Sequence, residues 1–185
     1  MTYNWTPEEW QSGRKLVKFW RRQHNDNTDP SDRTGEVECG FESIEQEIYQ
    51  QQRLRENMAS QKDGGAKKSN SLIVSCIYWQ ERNDYFITSV DCIYLLEGLI
   101  GVQFTVEEKN RIRRNLEGFR PFTVSKCKPE CADFFKLIMS FPHPKPRNIE
   151  KDVKVFAWKT LSNALRKIIR KYTPSYSSTV VVNLN

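Results

Sequence analysis

The sequence predicts an α+β fold: a small antiparallel hairpin or sheet packed by four or five helices, with an acidic insertion. Three features carry this reading. Residues 72–79 (LIVSCIYW) form a dense β-branched and aromatic run, followed by the turn pair Asn83-Asp84 and a returning Tyr85-Phe86-Ile87-Thr88. Thr6-Pro7-Glu8-Glu9 and Thr105-Val106-Glu107-Glu108 are capping boxes that each open a helix. Trp158, Leu161, Leu165, Ile168, Ile169 and Tyr172 recur at helical spacing near the C-terminus.

Taken in order, the first helix is expected to run on from Pro7 through Trp20. Trp10, Val17 and Trp20 share a stripe, and Arg14, Lys18, Arg21 and Arg22 project from another side. Residues 24–40 are rich in Asn, Asp, Ser, Thr and Gly and read as loop. Residues 41–60 have helical spacing, and 61–70 (QKDGGAKKSN) read as a linker. Residues 24–70 therefore read as an acidic insertion, partly helical and partly disordered, whose acidic 24–66 stretch is expected to be dispensable for folding and to tune binding.

After the 72–88 hairpin, Ser89 caps a helix that Gly101 closes. The 106–117 helix has a thin apolar face of Val106, Ile112 and Leu116. FRPFTVSKCK reads as a connection, and Pro129-Glu130 opens a helix through Phe134, Phe135, Ile138 and Met139. Pro142, Pro144 and Pro146 alternate and favour an extended polyproline-like tether. The last helix is expected over 156–172. The organisation expected is one domain over residues 1–178, with a frayed tail at 179–185.

Charge is unevenly placed along the chain's 185 residues, whose formal net charge is +6. Residues 24–66 carry four basic and ten acidic side chains, whereas residues 105–172 carry seventeen Lys/Arg against seven Asp/Glu. Several cations on one folded surface are what phosphate binding requires, because each can displace a condensed counterion. A solvated basic helix would have the same composition, so charge alone does not separate the two. The candidate nucleic-acid-binding residues are Lys109, Arg111, Arg113, Arg114, Arg120, Lys126, Lys128, Lys145, Arg147, Arg166, Lys167, Arg170 and Lys171. The density at 109–114 makes that helix the candidate groove element.

Other chemistries find little support. Cys127, Cys131 and His143 make three spaced donors where a structural zinc site wants four, so no metal and no cofactor is expected. There are only two histidines, no Gly-rich phosphate loop and no nucleophile elbow, so no enzyme is expected. Asp91 and Glu97 share a helix without facing each other and make a poor acid/base pair. Five scattered cysteines without a secretory signal read as reduced thiols of the cytosol or nucleus. The amphipathic 156–172 helix could lie on a membrane, but its Trp and Leu sit at core spacing, so no membrane partner is expected.

Long stretches resemble a known family. The runs WTPEEWQSGRKLVKFWRRQ, SLIVSCIYWQERNDYFITSVDCIYLLEGLIGVQF, TVEEKNRIRRNLEGFRPFTVSK and FFKLIMSFPHPKPRNIEKDVKVFAWKTLSNALRKIIRKY are similar to the conserved domain of the Medusa-type fungal developmental regulators. The likeness covers about residues 5–23 and 71–178. It implies a nuclear protein regulating transcription in conidiation, morphogenesis and adhesion, and it carries over no base-reading residue. Beside larger members it is expected to be a short form without their long low-complexity flanks.

Composition and resemblance together lead to the expected function. The chain is a nuclear transcriptional regulator that binds duplex DNA through basic helices and loops in its C-terminal half. Transcriptional co-regulators are possible partners, and no small-molecule substrate is expected. The alternative is a nuclear protein-interaction module whose basic face meets an acidic partner.

Overall fold

The computed structural model describes residues 1–23, 37–62, 71–144 and 152–172. At the N-terminus, the buried Trp5 donates its Nε1–H to the Met1 carbonyl at 3.0 Å. Thr6 and Glu9 then form the expected capping box of α1 (Pro7–Ser12). The helix does not continue through Val17 and Trp20. Gly13 adopts a left-handed conformation at φ +66° and its N–H caps the carbonyls of Glu9 and Trp10. Glycine bears that conformation without steric cost, so the chain leaves the helix there.

The next element is a strand, β1 (Arg14–Gln23). It pairs antiparallel with β2 (Val37–Ile44), Leu16 opposite Ile44 and Gln23 opposite Val37. On its other edge it pairs with β3 (Ser71–Trp79), Arg14 opposite Ile77 and Trp20 opposite Ser71. Residues 37–44 are therefore part of the sheet rather than of an insertion. Helix α2 (Gln46–Lys62) accounts for the helical part of the 24–70 expectation, while 24–36 and 63–70 lie outside the described residues.

A 3₁₀ turn at Gln80–Arg82, with Asn83 at φ +47°, returns the chain into β4 (Asp84–Thr88), as the hairpin reading expects. Thr88, not Ser89, caps α3 (Ser89–Ile100), and Gly101 closes it. Helix α4 (Val106–Leu116) opens on its Thr105–Glu108 box. The connection after it contains β5 (Phe122–Ser125). Helix α5 (Ala132–Ser140) starts three residues later than Pro129, behind the buried Cys131. The last helix begins at Trp158 rather than Phe156, because β6 (Asp152–Ala157) precedes α6 (Trp158–Tyr172).

The expected hairpin is thus the centre of a six-stranded antiparallel sheet in the order β2-β1-β3-β4-β6-β5, accompanied by six α-helices among the described residues. Opposed residues of paired strands share a face, which sorts the core into two clusters. Val17, Val74, Cys76, Ile87 and Phe156 pack beneath α3, α4 and α6. Ile77, Phe86, Val124, Val153 and Val155 pack against α5, where Trp79 stacks on Phe134 at 4.2 Å between centroids. Burying one such ring contributes about 1.5–3 kcal/mol.

Arg14, expected on the polar side of a helix, is buried instead at 5% exposed, and so is its neighbour Lys15 at 4%. Lys15 Nζ donates to the carbonyls of Tyr3 and Asn4 and pairs with Glu9 at 3.4 Å, tying the N-terminal strap to the sheet. Arg14 donates to the carbonyls of Pro142 and Pro144 at 3.0 and 2.6 Å and to Gln46 Oε1 at 2.6 Å, above the Phe141 ring. Gln46 Nε2–H donates to the His143 carbonyl. One guanidinium therefore joins β1, α2 and the start of the proline tether. Burial lowers its pKa to about 10, and the nearby Asp91 opposes that fall. Pro146, like the rest of 145–151, lies outside the described residues.

Candidate nucleic-acid interface

Helix α4 forms because its ends are locally satisfied. Thr105 Oγ1 accepts the Glu108 N–H, and Glu108 accepts the Thr105 N–H at 2.7 Å. The Thr105 N–H and the Thr105 hydroxyl, both donating to the Glu108 carboxylate, hold it below its ordinary pKa. Only Ile112 and Leu116 of this helix are buried. At 100° per residue, the remaining side chains fan out over the other sides.

The fan divides in two. On one flank Asn115 accepts a hydrogen bond from Lys171 of α6 at 2.9 Å, while its own side-chain N–H holds the Arg111 carbonyl. Beside this junction Lys167 Nζ lies 5.4 Å from the Phe119 ring centroid. Arg111, Arg114, Lys167, Arg170 and Lys171 are exposed on α4 and α6. Cations in the last turns of both helices also favour the helix dipoles, by about 0.3–1 kcal/mol each. That gain accounts for a cation in each last turn, but not for two such ends meeting side by side.

On the other flank Lys109 pairs with Glu97 of α3 at 3.0 Å, and Arg113 donates to Asn110 Oδ1 at 2.8 Å. Lys109 and Arg113 line a cleft of about 730 Å³ between α2, β3, α3 and α4. Asp91 and Glu97 both line this cleft, so the two carboxylates set aside in the sequence belong to one concavity. Asp91 accepts the Ser75 N–H at 3.5 Å, and burial pushes its pKa up to about 7 against the opposing effects of that bond and of Arg14.

The remaining candidates do not join the seam in one patch. Arg120 is exposed at φ +54°, a conformation costly for a side chain other than Gly or Asn, and caps the 3₁₀ turn Glu117–Phe119. The adjacent Glu117 is held by Lys154 of β6. Lys126 and Lys128 are exposed in the loop after β5, whose hydrogen bonds run back to Ser125 and lead to α5 on the opposite face. Arg166 is exposed on α6, and Lys145 and Arg147 lie outside the described residues. Cys131 is buried, its thiol exchanging contacts with the Ser125 backbone, and His143 is exposed. Among the described residues no three Cys, His, Asp or Glu side chains converge as metal ligands, and no helix is long and apolar enough to cross a membrane.

The chain belongs to the family described as "Domain of unknown function (DUF7082)". The match spans residues 1–169, and so takes in all six strands and all of α6 but its last three residues. Within the DUF7082 match lie the whole of α4, the cleft and Lys167, whereas Arg170 and Lys171 fall beyond it. No curated protein matches the chain, and no solved structure matches it. The sequence reading missed the division of the α4 cations into two flanks. The four-residue spacing of Ile112 and Leu116 located the buried side, although Val106, read with them, is exposed, and which neighbour each flank meets depends on α3 and α6.

Proposed function

We propose that this DUF7082 chain binds duplex DNA through the α4–α6 seam and, in line with its resemblance to the Medusa-type regulators, acts in the nucleus in transcriptional control. The observation that carries the reading is the Asn115–Lys171 bond, which joins two separate basic helices into one cationic surface. Duplex phosphates present charge at intervals along both groove walls, and a surface with cations on two adjoining helices can contact both. Arg111 and Arg114 are the candidate base readers, because a guanidinium pairs with guanine in the major groove. Lys167, Arg170 and Lys171 are backbone contacts.

The two flanks of α4 supply the test. Changing Arg111 and Arg114 together to Ala should weaken binding to a selected duplex at least tenfold, at about 1–3 kcal/mol for each arginine that reads a base. Changing Lys109 and Arg113 removes the same charge from the other flank and should cost less than threefold. Equal losses would mean that helix charge alone is felt, and a greater loss from the second pair would move the interface to the cleft.

A further inference from the structure

The sheet is incomplete at one place. β4 pairs with β3 only over Ile77–Trp79, Ile77 lying opposite Phe86 and Trp79 opposite Asp84. Beyond Thr88 the chain turns away as α3. Among the described residues, no strand therefore lies beside residues 71–76 on that edge of β3, although β1 is paired along the other. In a strand, residues of one parity direct both N–H and C=O to the same edge. Ser75 directs its N–H to Asp91, so Ile73 directs its own N–H and C=O the same way. Ile73 and Ser75 line the 730 Å³ cleft, which is walled by α2 on one side and by α3 and α4 on the other.

We propose that this cleft docks an extended acidic peptide of a partner protein as an added strand on β3. Ile73 thus turns an N–H and a C=O to the cleft, and an extended peptide presents its own at matching spacing. The charge of the occupant is set by the walls. Arg53 faces the cleft from α2, whose Glu56 also lines it, and Arg113 faces it from α4. Among the described residues neither arginine has a carboxylate partner, Arg113 being held by the neutral Asn110. Lys109, by contrast, is already neutralised by Glu97. Side chains of an added strand alternate in direction, so acids two residues apart leave on one side and a residue of the other parity points to the opposite wall. The two arginines stand on opposite walls, which selects a strand with acids of both parities. At the floor, burial keeps much of Asp91 protonated near neutral pH, which limits its repulsion of an acidic occupant.

The inference does not rest on DNA binding at the seam. The experiment is selection from a displayed library of peptides randomised at eight positions, against the full chain at 0.15 M salt. The enriched peptides should be acidic and free of proline at the centre, and binding them should slow exchange of the Ile73 amide at least tenfold. The double reversal Arg53→Glu with Arg113→Glu, at two exposed positions, should abolish their binding and enrich basic peptides instead. Ile73→Pro should also abolish binding, since it removes the donor facing the cleft and no bond to β1. A saturating duplex should leave peptide affinity unchanged within threefold. Lack of an enriched family, enrichment without acids, protection elsewhere than β3, or displacement by DNA would overturn the proposal. So would peptide binding that appears only after removal of residues 173–185, which would make the chain's own segment the occupant.

Discussion

Replacing Arg14 by Met tests how the fold holds its proline tether. The guanidinium is buried and donates to two carbonyls of the 141–144 segment and to Gln46. Hydrogen bonds from a charged donor contribute about 1.5–3 kcal/mol each, but burying the charge opposes them, as the fall in its pKa to about 10 records. The Met side chain fills much of the volume yet leaves the acceptors unpaired. Leaving these partly buried neutral acceptors unpaired costs about 1–3 kcal/mol. For a chain of this length each kcal/mol lowers Tm by about 2–4 °C, so the fall should be about 2–12 °C. Urea unfolding monitored by circular dichroism measures the loss directly. Arg14→Lys should recover less than half of it, because one ammonium cannot reach acceptors spread around a planar fork. A loss under about 1 kcal/mol for the Met variant, with an unchanged m-value, would show that the tether is held by apolar contacts such as Phe141 instead.

Asp91 should make stability fall as pH rises from about 4 to about 7. Its carboxyl keeps a proton in the folded chain up to about pH 7, against an ordinary 3.8, so over that window the folded state binds more protons and raising pH favours unfolding. Three units correspond to at most about 4 kcal/mol, reduced by the solvent that reaches the cleft; Asp91→Asn should flatten the difference between melts at pH 4.5 and 7.5, and an unchanged difference would contradict the assignment. Gly40→Ala should destabilise by about 1–3 kcal/mol, since a Cβ there overlaps the Trp20 ring across the β1–β2 pair. A neutral result, with unaltered tryptophan fluorescence, would place β2 in a different register.

How much of the fold was legible in the sequence depends on the range of the forces involved. Both capping boxes, the αL glycine at 101 and the 83–84 turn are decided by residues within four positions of one another, and all were readable. β1 was not, because it is covered on both faces and its two buried cations look like the polar side of a helix until their distant carbonyl partners are known. β2 carries Glu38, Glu42 and Ser43 on the sheet's outer edge and reads as loop; its register comes from β1. β6 left a usable signal, the alternation Asp152-Val153-Lys154-Val155, which the helix stripe after it overshadowed. The cations of α4 and α6 were visible by composition. Their meeting at Asn115–Lys171 spans 56 residues and no local pattern encodes it. The cleft is the least legible feature, since it exists only because β4 ends before β3 does.

The salt dependence of duplex binding tests the central claim most directly. Five exposed cations lie on α4 and α6, Arg111, Arg114, Lys167, Arg170 and Lys171. If about five phosphates are neutralised, log affinity for a short duplex should fall against log salt with a slope of about −4 to −5. Changing all five residues to Ala should flatten the slope to between about −1 and zero while the thermal transition stays cooperative. Absence of binding at 50 mM salt, or a slope that survives the loss of all five, would contradict the account.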